Sequence, residues 1–219
     1  MSKEKAYGPF LLLLFTCALV TFMPQPIFAQ ISKGIELYNS GEYRAAETIF
    51  EESLKANPAD YGANYYFGLS ALAQEKYGDA EESFLKVKPG DGNGNTRGNL
   101  PSEYELQIAL ARARLGLKVY EDAWSTLEFA KALNAGSSDV YVYRGLFYLE
   151  QDKNKEALEE LEKAISLDPQ NPYAYYYEGL VYVQSAQLEP AVNALKTFIN
   201  LAPFAPEAGK ARIIIAKLC

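Results

Sequence analysis

Residues 138–171 read SDVYVYRGLFYLEQDKNKEALEELEKAISLDPQN, and residues 172–205 read PYAYYYEGLVYVQSAQLEPAVNALKTFINLAPFA. Superposed, they lay Gly145 on Gly179, Ala157 on Ala191, Leu161 on Leu195 and Pro169 on Pro203, each pair 34 residues apart. The same beat runs back through the chain. Ala46, Ala80, Ala123, Ala157 and Ala191 stand 34 residues apart, except for a gap of 43 between the second and third. Gly34 and Gly68 repeat the glycine spacing. A fixed period of this length predicts an array of helix–turn–helix units, not one closed globular core.

With units starting at Ile27, Tyr61, Tyr104, Ser138 and Pro172, the eighth position reads Gly34, Gly68, Ala111, Gly145, Gly179. The twentieth reads the five alanines, and the twenty-fourth reads Phe50, Phe84, Leu127, Leu161, Leu195. Pro58, Pro169 and Pro203 close three of the units. In two antiparallel helices, positions eight and twenty are expected where the backbones come closest. Only a small residue fits there, and glycine is accepted although it costs about 1 kcal/mol against alanine inside a helix. The large residue at twenty-four is expected to fill the groove toward the next unit, and proline to end the second helix. These residues are structural and carry no chemistry.

The small–small–large–proline pattern resembles the tetratricopeptide repeat family, whose motif has Gly or Ala at eight, Ala at twenty, an aromatic or Leu at twenty-four and Pro at thirty-two. The resemblance covers roughly residues 30–205. It implies an all-α fold, a right-handed α-solenoid of five helix–turn–helix repeats with a C-terminal capping helix. Units 1–2 are placed at 30–94, a Gly/Asn-rich insertion loop at 88–103, units 3–5 at 104–205 and the cap at 206–219. In the cap, Ala211, Ile214, Ile215 and Leu218 recur at helical spacing and suit the exposed end of unit 5, since each repeat buries its face only against neighbours. The cap is the favoured reading, and the alternative, suggested by the run Ile213-Ile214-Ile215, is a self-associating end.

The insertion reads KPGDGNGNTRGNLP over 88–101, a glycine-rich loop. Asp91, Asn93 and Asn95 alternate as at the start of a calcium loop, but Thr96, Gly98 and Ser102 stand where that motif needs Gly, an aliphatic and Glu. A solvated interruption of the array is the better reading, and no metal or cofactor is expected. At the N-terminus, Lys3 and Lys5 precede the apolar run Phe10 to Met23, and Ala29 follows at a plausible cleavage site. Residues 1–29 thus read as a signal peptide, with an uncleaved membrane anchor and a lipidated Cys17 as alternatives. Export to the periplasm or cell envelope is the expectation.

The formal charge is −7 and basic residues are scattered among acids, which suits no nucleic-acid surface. Cysteine is limited to Cys17 and Cys219, so no internal disulfide is expected in the exported chain. The chain contains no histidine, removing the usual general base at neutral pH. No G-x-S-x-G or P-loop is present either. The carboxylates Glu81-Glu82 and Glu159-Glu160 are expected on outer faces of second helices, as solvated surface. The chain therefore reads as non-enzymatic.

The resemblance also implies a concave face lined by first helices, chiefly through positions two, five, nine, twelve and thirteen. Position five supplies Tyr65, Val142 and Tyr176, and position nine Leu69, Arg112, Leu146 and Leu180. Position twelve supplies Leu72, Leu149 and Val183, and Tyr173 joins at position two. An apolar stripe with tyrosines favours an amphipathic helix or an extended apolar peptide. Leucines at nine and twelve serve equally well to pack neighbouring first helices. Tyr66, Tyr141, Tyr143, Tyr175 and Tyr177, near positions four and six, are expected in the core. Family members that clamp chaperone tails carry Asn at nine with Lys or Arg at five and thirteen, a set this chain lacks. A protein-binding scaffold follows, with a self-associating subunit or a membrane-anchored adaptor as alternatives.

Overall fold

The computed structural model describes residues 27–89 and 100–218. The signal-peptide segment before Ile27, the Asp91–Asn95 loop centre and Cys219 lie outside the described residues. Eleven helices follow one another among the described residues, and no strand occurs among them. Five pairs match the five units: α1 (Ile27–Asn39) with α2 (Tyr43–Ala56), α3 (Tyr61–Ala73) with α4 (Tyr77–Leu85), and α5 (Glu103–Gly116) with α6 (Tyr120–Leu133). The last two pairs are α7 (Ser138–Leu149) with α8 (Asn154–Leu167) and α9 (Pro172–Gln184) with α10 (Leu188–Leu201). Helix α11 (Ala208–Leu218) ends the chain.

Each helix packs on the next, and the first helices also touch in series: α1 on α3, α3 on α5, α5 on α7, α7 on α9. Successive second helices show no comparable packing. The first helices therefore take the inside of a curve, and the molecule is an all-α helical-repeat solenoid.

The spine follows the expected register. Ala46, Ala80, Ala123, Ala157 and Ala191 are all fully buried. A Cβ on Gly145 would lie 2.6 Å from Leu161, one on Gly179 2.7 Å from Leu195, and one on Gly68 2.5 Å from Phe84. So the side chain at twenty-four seats on the glycine at eight of its own unit, which corrects the expectation that it points mainly to the next one. Phe50 does both, because its ring also stacks on Tyr66 of unit 2 at 5.9 Å.

Local signals start and stop the helices. After the insertion, Ser102 Oγ accepts from the Glu105 N–H while the Ser102 N–H donates to Glu105 Oε2 at 2.7 Å. This capping box restarts the helical beat at α5. Asp60 and Asn171 cap α3 and α9 through their side chains. The turn inside each unit places its fifteenth residue in the left-handed region: Gly41, Glu75, Lys118, Asp152 and Ala186, with φ between 56° and 83°. Only Gly41 is a residue that adopts this conformation at no steric cost.

Ion pairs join neighbouring helices. Buried Glu47 accepts from Lys76 Nζ at 2.7 Å, and Arg114 Nε donates to Glu81 at 3.0 Å. Buried Arg144 bridges Glu160 (2.7 Å) and Glu128 while its guanidinium lies 4.4 Å from the centre of Trp124. Glu81 and Glu160 are thus structural partners of arginines, a correction to their reading as plain solvated surface.

Candidate functional site

Inside the curve lies a cavity of about 430 Å³. Its floor is built from first helices: Leu72 of α3, Arg112 and Leu115 of α5, Tyr143, Leu146 and Leu149 of α7, and Tyr176, Tyr177 and Leu180 of α9. Its rim carries Gln74, Glu75, Tyr77 and Glu150 from unit turns and second helices, and Pro206, Glu207 and Lys210 from the C-terminal segment.

Helix α11 does more than cap. Its Ala208 and Ala211 are buried against Phe198, Tyr173 and Tyr176, sealing the end of unit 5. From there Lys210 Nζ reaches an ion pair with Glu75, the left-handed turn residue of unit 2. The preceding Glu207 accepts a hydrogen bond from Tyr173 Oη at 3.0 Å. The groove is therefore closed into a bowl by a contact between residues 135 apart in sequence.

Of the eleven residues expected on the concave face, Leu72, Arg112, Leu146, Leu149, Tyr176 and Leu180 border the bowl. Leu72, Leu149 and Tyr176 retain under a tenth of their surface, so much of each serves packing. Tyr176 lies 4.8 Å from Phe198, ring centre to ring centre. Tyr65 and Leu69 pack beside the α3–α5 core, with Tyr65 tilted on Phe84 at 5.9 Å. Tyr173 stacks with Tyr177 at 6.4 Å and touches the bowl through Glu207. Val183 is half-buried away from the cavity. Val142 is fully buried between first helices and offers no surface, which corrects its assignment to the groove.

The polar chemistry of the bowl's floor is cationic and phenolic, and carboxylates stand on its rim. The Arg112 guanidinium lies 5.5 Å from the centre of the Tyr143 ring, a cation–π contact. Burial raises the Tyr143 phenol to about 12, with Arg112 pulling the other way, and burial lifts Tyr177 well above its ordinary value. Tyr176 rises to about 12, by burial first and by Glu207 second. At neutral pH these phenols are O–H donors. Tyr143 and Tyr177, expected as core, thus also face the bowl. Sequence reasoning missed the contributions of Glu75, Glu207 and Lys210, because no periodicity reports a contact between α11 and the turn of unit 2. Among the described residues no group of three potential metal ligands occurs, and no helix is long and apolar enough to cross a membrane.

Comparison with known proteins bears on this architecture. A tetratricopeptide repeat model matches residues 31–95, and a second TPR repeat model matches residues 145–185. The chain belongs to the tetratricopeptide repeat family. It is 33% identical over 107 residues to a TPR repeat-containing protein of Schizosaccharomyces pombe, a match that covers 46% of this chain and spans only 13% of that much longer protein. The crystal structure of a thermophilic TPR protein from Thermus thermophilus superposes with a TM-score of 0.67 at 22% identity, over 88% of this chain and 98% of the other. A tetratricopeptide repeat protein from Parabacteroides merdae gives 0.68 at 18% identity, over 89% and 71%. At such identities the likeness is one of fold. Tetratricopeptide repeat proteins as a class mediate protein–protein interactions as scaffolds.

Proposed function

We propose that this tetratricopeptide repeat protein is a non-enzymatic scaffold of the cell envelope that grips a partner peptide or helix in its concave bowl. The observation that carries the reading is the bowl itself: partly exposed Leu146 and Leu180 beside tyrosines, on the inner face of stacked first helices. Apolar bodies with polar tips of this kind suit protein interfaces. The envelope placement rests on the charged and apolar N-terminal run, read as an export signal cleaved near Ala29, or retained as an anchor.

Charging Leu146 and Leu180, as Leu146→Lys with Leu180→Glu, removes the apolar floor while changing no residue at positions eight, twenty or twenty-four. Capture of the native partner from envelope extracts is expected to vanish while the helical circular dichroism spectrum is retained at a somewhat lower melting temperature, because both leucines also pack against the core. Unchanged capture rules out the bowl as the gripping surface. Mass spectrometry of the mature N-terminus decides between cleavage at Ala29 and retention.

A second reading, self-association, is favoured by Phe204 and Ile213, which are 92% and 58% exposed at the C-terminal end. Light scattering at rising concentration tests it, and a monomer throughout removes it.

A further inference from the structure

Arg112 is out of keeping with Arg114 and Arg144, the other arginines on first helices. Arg114 is held by Glu81 and Thr126, and Arg144 by Glu128 and Glu160. Among the described residues Arg112 has no hydrogen-bond acceptor and no carboxylate within ion-pair distance; its contact is the face of Tyr143. Arg112 is half-buried, and that burial partly desolvates its charge. A desolvated cation without a counter-charge is costly to fold around, and this one opens into the bowl. The phenols of Tyr143 and Tyr177 border the same space and have no hydrogen-bond partner among the described residues. One guanidinium and two phenolic donors face a hollow floored by Leu146 and Leu180.

We propose that the bowl binds an organic carboxylate, with Arg112 meeting the anion, Tyr143 and Tyr177 donating to it, and Leu146 and Leu180 receiving its apolar body. The volume of about 430 Å³ is that of a small-molecule site or one anchoring side chain. The charge favours a monoanion, because Glu75 and Glu150 on the rim are paired with Lys210 and Lys118 while Glu207 has no such cation, and its charge opposes a doubly charged group such as phosphate more than a singly charged one. The carboxylate belongs either to a free acid or to a Glu side chain of a bound peptide. Only the peptide source rests on the scaffold reading above.

Isothermal titration of the full-length chain separates the sources. One arm compares phenylacetate with neutral phenylacetamide. The other compares an end-blocked leucine peptide carrying one glutamate with its glutamine twin. A preference of about tenfold or more for the acid in the first arm assigns a free acid, and in the second a partner's side chain. Equal binding of acid and neutral twin in both arms overturns the proposal. Arg112→Met is expected to erase the preference while melting at the same or a higher temperature, since it removes an unpaired charge. A variant that keeps the preference, or melts lower because the Tyr143 stack was structural, also overturns it. Loss of partner capture with the acid preference intact would fell the scaffold reading alone; capture without acid preference would fell this one alone.

Discussion

The spine and the bowl are built from the same repeat units by opposite rules. In the spine each unit repeats one solution: a glycine at eight, or Ala111 in unit 3, faces a fully or almost fully buried Phe or Leu at twenty-four, beside a buried alanine at twenty. Nothing there titrates. In the bowl units 2–5 each contribute something different, Leu72 and Tyr77 from unit 2, Arg112 from unit 3, Tyr143 from unit 4, Tyr176 from unit 5, and the last helix completes it. Repetition secures the fold through close packing. Departure from repetition places desolvated polar groups on the inner face, where they weaken the fold and give it a chemistry. A residue shared by all units reports stability, and a residue present once at an inner position is where the proposed partner contact would be read.

Alkaline titration breaks or sharpens this contrast most strongly. Tyr143 and Tyr176 have folded pKa values near 12 against an ordinary 10.0. Their protonated form favours the folded chain, so the contribution is full below about pH 10 and lost as pH climbs from about 10 to 12. Linkage assigns about 2 kcal/mol to each by pH 12. Thermal melts are expected to fall steeply over that window, and Tyr143→Phe with Tyr176→Phe to lessen the fall, the remainder coming from Tyr65, Tyr173 and Tyr177, whose phenols burial also raises. A wild-type melt that stays level to pH 12 would show that the bowl carries no such burden.

Overpacking tests the other side. Ala157→Leu puts three extra carbons at a fully buried crossing, and Gly145→Ala puts a methyl 2.6 Å from Leu161. Each is expected to cost about 1–3 kcal/mol, or several degrees of melting temperature in a chain of this size. Gly78→Ala, whose Cβ would meet nothing within 4 Å, is the control and is expected to be neutral or slightly stabilising. A Gly145→Ala variant as stable as the control would dismantle the eight-to-twenty-four contact.

The spine was legible because the period of 34 brings the same small residues to the same place five times, and chance does not do that. The unit starts carry into the helices, as with Pro172, the first position of unit 5, which opens α9. The bowl was legible only by half. Position nine points inward, so Arg112, Leu146 and Leu180 were found. At position five the small Val142 is hidden between neighbouring first helices while the larger Tyr176 still reaches the bowl, and position six turns Tyr143 and Tyr177 toward the cavity. The closure by Lys210 and Glu75 depends on the summed curvature of the units, a property no single repeat encodes. Likewise Glu81 and Glu160 looked like surface because their arginine partners lie 33 and 16 residues away.

The smallest effect lies at the turns, where the repeat hides a shared feature under different residues. Position fifteen is left-handed in every unit, yet it reads Gly41, Glu75, Lys118, Asp152 and Ala186. Alanine has no side-chain polar group to offset that conformation, so Ala186, at φ 56°, is the most strained of the set. Ala186→Gly relieves the steric cost and gives back part of the gain as unfolded-state entropy. A net stabilisation of about 0.5–1 kcal/mol is expected, a rise of a few degrees in melting temperature. Glu75→Gly at the equivalent turn gains the same relief but forfeits the ion pair with Lys210, so its melting temperature should rise less. If both glycines stabilise equally, the Lys210 contact contributes nothing to holding α11 over the bowl, and the closed rim is a matter of packing by Ala208 and Ala211 alone.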